Sequence, residues 1–216
     1  MRDKDSVINL IYDAFAKNEY PGDDYLIGSR EGSEPFEEIE PFIGKWDWTA
    51  IDSKMLDRHS GALNFFSEAG LRFFLPAYLI ADLNTELFTA DPLFTLTHGF
   101  NDVEIEHEIE SRLFIRKTGK SAFVNPLRYG AMTFYDYARF RLSVFSLEEA
   151  EAIVAYLRYK LYHDEMGIDK DNIESALDLF WLERVEYAPT SKTIRIYLNE
   201  EQDYLAALDK SFGDDD

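Results

Sequence analysis

The chain has no cysteine among its 216 residues. That excludes disulfides, thiolate zinc sites, iron–sulfur clusters and cysteine nucleophiles. It has no apolar run of the ~18 residues that a membrane-spanning helix needs. The longest candidate, Leu71 to Leu83, is broken by Arg72 and Asp82. The opening MRDKDSVINLIYDAF carries both signs of charge and lacks the apolar core and small-residue cleavage site of a signal peptide, so a soluble, cytoplasmic protein is expected. Basic residues are scarce: 22 Lys and Arg against 42 Asp and Glu, a formal net charge of -20. Such a surface repels nucleic acid and anionic lipid, so neither nucleic-acid nor membrane binding is expected. Internal repeats and low-complexity linkers are absent as well.

Catalytic signatures are equally sparse. There is no G-x-S-x-G nucleophile elbow. The Gly119-Lys120-Ser121 triplet resembles the end of a phosphate-binding loop, but such a loop needs an earlier glycine where Phe114 stands, so the triplet reads as a turn. The four histidines, His59, His98, His107 and His163, form no H-E-x-x-H or H-x-H pattern. The segment YHDEMGIDKDNIE gathers His163, Asp164, Glu165, Asp169 and Asp171 but lacks the ligand order of a calcium loop, and solvated helix-end acids account for it. No metal and no cofactor is expected.

What the chain does have is apolar content of 46%, with 17 Phe and 13 Tyr, enough for one sizeable core. Its acid is unevenly spread, with 8 basic against 22 acidic residues in 1–108 and 14 against 20 in 109–216. The stretch HSGALNFFSEAGLRFFLPAYLIADL, His59 to Leu83, is the most apolar and carries Pro76 in its middle. Ser67 suits the N-cap of its helix, with Glu68 in the first turn. Leu71, Phe74, Leu75, Tyr78, Leu79 and Leu83 recur at helical spacing, and Phe73, Ala77 and Ile80 fill the other side. A helix apolar all round belongs at the centre of a domain. Pro76 deprives the Arg72 carbonyl of its backbone donor, and a kink is expected there.

Other elements follow from the same periodicities. Helices are expected over Ser6 to Lys17, over Ser33 to Gly44 with Phe36, Ile39, Phe42 and Ile43 on its apolar face and Pro41 ending or kinking it, and over Thr49 to Arg58, anchored by Trp46 and Trp48. Pro21-Gly22-Asp23 is a turn. Val103, Ile105, His107 and Ile109 alternate with glutamates, favouring a strand that pairs back through a turn near Gly119, although Ile105, Ile109 and Leu113 also fit a helix. From Met132 to Val144 both periods compete. Ser146 and Glu149 make a capping box for the next helix, which Gly167 ends. Asn172 to Tyr187 is a further helix, KTIRIYL a short strand, and Asn199 to Lys210 a last short helix. The expected fold is α+β and predominantly helical: a single domain over 1–212 around a Pro-kinked central helix, with a small β-hairpin in a segment near 96–131 that looks inserted, and a frayed acidic tail from 213.

Three segments, AFAKNEYPGDD, ALNFFSEAGLRFFLPAYLIADL and FSLEEAEAIVAYLRYK, together resemble an uncharacterised bacterial domain-of-unknown-function family. Its pattern is an A-F pair, a YPGD turn, a glycine and a tryptophan before a short helix, a capped central helix S-E-x-x-x-R-x-x-L-P-A, and a later capped helix. The matching residues are Ala14, Phe15, Tyr20 to Asp23, Gly44, Trp48, Ser67, Glu68, Arg72, Leu75 to Ala77 and Ser146. The resemblance implies a shared fold and carries no activity.

Two readings of function remain open. Residues 19–47 hold nine acids against two bases, interleaved with Tyr20, Tyr25, Phe36 and Trp46, with Trp48 just beyond. Acids with exposed aromatics suit a surface that grips a basic protein partner, as in a non-enzymatic regulatory or immunity-type protein; a solvated face over buried aromatics, or acids spaced to mimic nucleic acid, are the alternatives. The other reading is a hydrolase or transferase. Glu68 and Arg72 are four apart and share a helical face. Arg72 calls for a carboxylate, from Asp23, Asp24, Asp52 or Glu68, either as an ion pair that fixes the turn or as an acid/base or anion-binding centre. The candidate cluster is Tyr20, Asp23, Asp24, Trp48, Glu68 and Arg72.

Overall fold

The computed structural model describes residues 2–100, 104–109, 112–117, 121–123 and 131–213. In chain order its elements are α1 (Lys4–Phe15), α2 (Glu34–Ile39), α3 (Ser53–Arg58), α4 (Ala62–Phe65), α5 (Glu68–Leu83), α6 (Pro92–Thr97), β1 (Glu104–Ile109), β2 (Arg112–Lys117), β3 (Ser121–Phe123), β4 (Ala131–Thr133), α7 (Phe134–Arg141), α8 (Leu147–His163), α9 (Lys170–Ala176), α10 (Leu182–Glu186) and α11 (Ser191–Gly213). A π-helical turn, Leu177–Trp181, joins α9 to α10.

The apolar stretch becomes α5, which is buried at every position except Arg72, Ile80 and Asp82. Its first turn shows how a buried helix end is completed. The leading N–H groups of a helix have no partner within it. Here Ser67 N–H donates to the Leu26 carbonyl (2.8 Å), and Gly70 N–H donates to Ser67 Oγ (2.9 Å). Between them, Glu68 and Ala69 N–H donate to Glu201 Oε1 and Oε2 at 2.7 and 3.0 Å. That carboxylate arrives from α11, and its negative charge sits at the positive end of the helix dipole. Gly70 suits the crowding: a Cβ there would stand 3.0 Å from the Leu26 carbonyl oxygen, tighter than an ordinary contact.

The helix runs on without a break through Pro76. The Arg72 carbonyl that proline orphans accepts instead from Asn18 Nδ2 at 3.1 Å, just beyond the end of α1. Helix α1 packs on both α5 and α8. Two side-chain ties join α5 to α8 directly. Arg72 meets Glu149 near the start of α8, and Asp82 accepts from Tyr156 Oη (2.6 Å) and Lys160 Nζ (3.1 Å). Phe42, Phe66, Phe74 and Tyr78 form an aromatic cluster against one side of α5. One continuous core reaches from Val7 to Trp181, so the protein is a predominantly helical single domain.

Several expected elements change. The strand expected over KTIRIYL and the short helix after it are one helix, α11. Ile194, Glu201 and Leu205 lie along its buried side, so the carboxylate occupies a position that periodicity assigns to an apolar residue. The Ser33 to Gly44 piece is α-helical only to Ile39, and Pro41 lies in the 3-10 turn that ends it. Ile39 and Phe42 are buried there as expected, but Phe36 and Ile43 are exposed, and Pro35 takes the inward place. Thr49 to Arg58 divides into a 3-10 turn, Trp48–Ala50, and α3, capped by Asp52. Helix α6 had no counterpart in the sequence reading.

Strand β1 pairs antiparallel with β2, Ile109 opposite Arg112, and β3 with β4. Gly119 and Lys120 of the triplet and tail residues 214–216 lie outside the described residues, as does much of the expected insertion.

Candidate functional site

The YPGD turn is closed by its own side chains. Gly22 has φ 100°, open to glycine alone at little cost, and turns the chain so that Asp23 faces Tyr20. Tyr20 Oη donates to Asp23 Oδ1 at 2.5 Å, and Gly44 N–H reaches both Asp23 Oδ1 (3.0 Å) and Tyr20 Oη (3.1 Å). The tyrosine hydroxyl holds the Asp23 carboxyl below the ordinary carboxylate range, helped by the Gly44 amide. Burial, then the hydrogen bond to Asp23, pushes the Tyr20 phenol far above its usual value. Tyr20 packs edge-on to Phe73 of α5 at 5.4 Å and lies under Trp46 at 5.0 Å.

Asp24 follows in the same turn but faces solvent, and Trp48, Glu68 and Arg72 lie apart from it. Asp24 is exposed, and its carbonyl accepts from Arg30 Nη2 at 3.5 Å. Trp48 is 5% exposed and stacks on Tyr12 at 5.5 Å. Glu68 is buried in the first turn of α5, its amide held by Glu201. Arg72 takes as its carboxylate none of Asp23, Asp24, Asp52 or Glu68. Its Nε donates to Glu149 Oε2 at 3.0 Å, and Nη2 stands 3.0 Å from Oε1 in an ionic contact off hydrogen-bond geometry. Glu149 is the acid of the capping box and also accepts from Ser146 N–H at 2.7 Å, so one buried carboxylate serves a helix end and a guanidinium together. Glu68 and Arg72 belong to α5 itself, Tyr20 packs against its Phe73, and Asp24 is exposed away from it. Within the turn a side-chain hydrogen bond joins Tyr20 and Asp23.

A groove of about 190 Å³ beside α5 is lined by Tyr12, Trp48, Ile51, Ala77, Ile80 and Ala81, among others. That is smaller than the ~300–1,000 Å³ of pockets that bury small molecules. Among the described residues no group of three or more His, Asp or Glu is placed to hold a metal ion. Asp164 accepts from Ile168 and Asp169 N–H and so closes the turn after α8. No helix among the described residues is long and apolar enough to cross a membrane.

The acidic N-terminal band has a different character. Of its nine acids Glu38 alone is half-buried, and the others are exposed. Trp46 is 71% exposed, Ile43 47% and Phe36 45%. Trp46 is held in place from below by Tyr20 while its remaining surface faces solvent. Of the two local bases, Arg30 is engaged with Asp209 of α11, Nε to Oδ1 at 2.6 Å, and Lys45 is exposed. Compared with protein-family models, with curated proteins and with solved structures, the chain shows no match in any of the three.

Sequence reasoning missed Ile43 as a surface residue because helical periodicity placed it with the core. It missed Glu149, Glu201 and Asn18 as partners of α5 because their separations in sequence, 77 residues for Arg72 to Glu149, leave no local signal. It also missed Asp57, whose Oδ1 accepts from the N–H groups of Phe88, Thr89 and Ala90 at 2.7, 2.6 and 3.1 Å.

Proposed function

We propose that the protein is a non-enzymatic cytoplasmic interaction protein, of regulatory or immunity type, that grips a basic protein partner through the surface built by residues 19–47. The observation that carries this reading is Trp46, a large aromatic 71% exposed amid exposed acids and braced from behind by Tyr20. Aromatic residues dominate binding energy where they are rigid and become desolvated by a partner, and complementary charge supplies orientation and speed of encounter. Phe36 and Ile43 extend the apolar part of this face.

The residues behind the resemblance to the uncharacterised bacterial family fit a role in the fold. Tyr20, Asp23, Gly44, Ser67, Arg72 and Ser146 each belong to a tie that holds α5, its loop or α8. On this reading the motif specifies a scaffold, and the activity lies in the face the scaffold presents.

The test is affinity capture with tagged wild-type protein and with Trp46→Leu, each at low and at moderate salt. A stoichiometric basic partner, retained by wild type at moderate salt and lost with Trp46→Leu while the variant's melting temperature is unchanged, supports the proposal. Capture that disappears with salt and ignores the Trp46 change reduces the acidity to solubility.

A further inference from the structure

We propose that the face around Trp46 is a seat for an arginine side chain of the basic partner, with the guanidinium stacked on the exposed side of the indole and paired with Asp23. This rests on the reading of residues 19–47 as a partner-binding surface and names the chemistry it recognises.

Three observations point to a planar cation. Trp46 has one side occupied, since the Tyr20 ring lies 5.0 Å away at 34°, and the rest of the indole is open. That contact limits the positions of the exposed indole before any partner arrives, which lowers the ordering cost of binding. A carboxylate lies close by. Trp46 Nε1 is 3.8 Å from where a Cβ on Gly44 would stand, and the Gly44 amide holds Asp23 Oδ1 at 3.0 Å. Asp23 is exposed, and both of its hydrogen bonds fall on Oδ1, leaving Oδ2 to solvent.

The surrounding charge suits a cation. Glu40 and Asp47 are exposed on the same short segment, and Arg30, one of the two local bases, is neutralised by Asp209. Arginine fits better than lysine because its weakly hydrated planar guanidinium stacks on an indole and meets a carboxylate through several N–H donors, whereas an ammonium is a compact, strongly hydrated point charge. Lys45, next to Trp46, is an exposed positive charge that opposes the arrangement.

The experiment titrates the full chain with deca-arginine and with deca-lysine at about 10 mM salt, where the screening length is ~30 Å. Binding is followed by calorimetry and by tryptophan emission. Trp48 and Trp181 are 5% and 0% exposed, so a solvent-accessible change in emission reports Trp46. Both peptides are expected to bind, deca-arginine about threefold more tightly. Trp46→Leu removes that preference and leaves the charge-driven part. Trp46→Tyr retains most of the preference. Lys45→Glu tightens both peptides and keeps the preference. Thermal unfolding of each variant shows that the fold is intact.

Equal binding of the two peptides, unchanged by Trp46→Leu, overturns the arginine seat while the acidic surface stands as a binding face. Failure of both peptides to bind at this salt overturns the acidic binding surface and the arginine seat together.

Discussion

Two sets of carboxylates in this protein behave in opposite ways. Glu149 and Glu201 are each 1% exposed and act inside the fold, one pairing with Arg72 and closing the first turn of α8, the other completing the first turn of α5. The acids of residues 19–47 stand mostly in water, around a tryptophan that is exposed as well. A net charge of -20 is therefore two things at once. Part of it replaces backbone and guanidinium partners that the helices cannot find locally, and part is presented outward. The same division appears in Trp46 and Trp48, two residues apart, one tilted against Tyr20 on the outside and the other buried and stacked on Tyr12.

The largest effect is expected at Glu201. Glu201→Ala leaves the Glu68 and Ala69 amides without an acceptor at a buried helix end and removes the anchor of α11, a loss of about 3–4 kcal/mol in urea unfolding. Glu201→Gln keeps one acceptor oxygen and costs about half as much. Arg72→Ala comes next, at about 3 kcal/mol, because it strands the buried Glu149 carboxylate with only the Ser146 amide. Asn18→Ala is smaller, about 1 kcal/mol, because the Arg72 carbonyl freed by Pro76 loses its single donor. If the Asn18 and Glu201 ties are independent, the double variant Asn18→Ala/Glu201→Gln loses the sum of the single losses; a marked shortfall shows that α1 and α11 support α5 as one unit.

Asp57 carries a pH signature. The Thr89 N–H, followed by those of Ala90 and Phe88, lowers its pKa from 3.8. A carboxyl with a depressed folded pKa contributes stability that is fully present above the unfolded value and is lost as the pH falls through the folded value. The difference in melting temperature between wild type and Asp57→Asn is thus expected to be largest near neutrality and to shrink as the pH is taken below about 3.8. The smallest stability effects belong to the outward acids. Glu34→Gln and Glu37→Gln change unfolding free energy by less than about 0.5 kcal/mol.

The centre of the fold was legible in the sequence because its signals are local. The apolar spacing from Leu71 to Leu83, the Ser67 cap and the Ser146/Glu149 capping box each sit within a few residues of what they specify. Pro76 even named the carbonyl that needs an outside donor. What supplies that donor was not legible, because Asn18 lies 54 residues away. Helix α11 was misread for a related reason. Its β-branched Thr193, Ile194 and Ile196 favour a strand, and the buried Glu201 interrupts the stripe that marks a helix. The candidate cluster was assembled from residues whose partners lay elsewhere. Arg72 pairs with Glu149 rather than with the turn, while Tyr20 and Asp23 are joined by a side-chain hydrogen bond. The exposure of Ile43 escaped the sequence reading because a 3-10 turn after Ile39 ends the α-helical spacing on which its burial was inferred.

The most direct test of the division between inward and outward carboxylates is one triple variant, Glu34→Gln/Glu37→Gln/Glu40→Gln, measured for melting temperature and for deca-arginine binding in the same buffer. The account predicts a melting temperature within about 2 °C of wild type and binding weakened severalfold. A melting temperature that drops while binding stays unchanged would contradict it, because these acids would then be holding the fold rather than facing a partner.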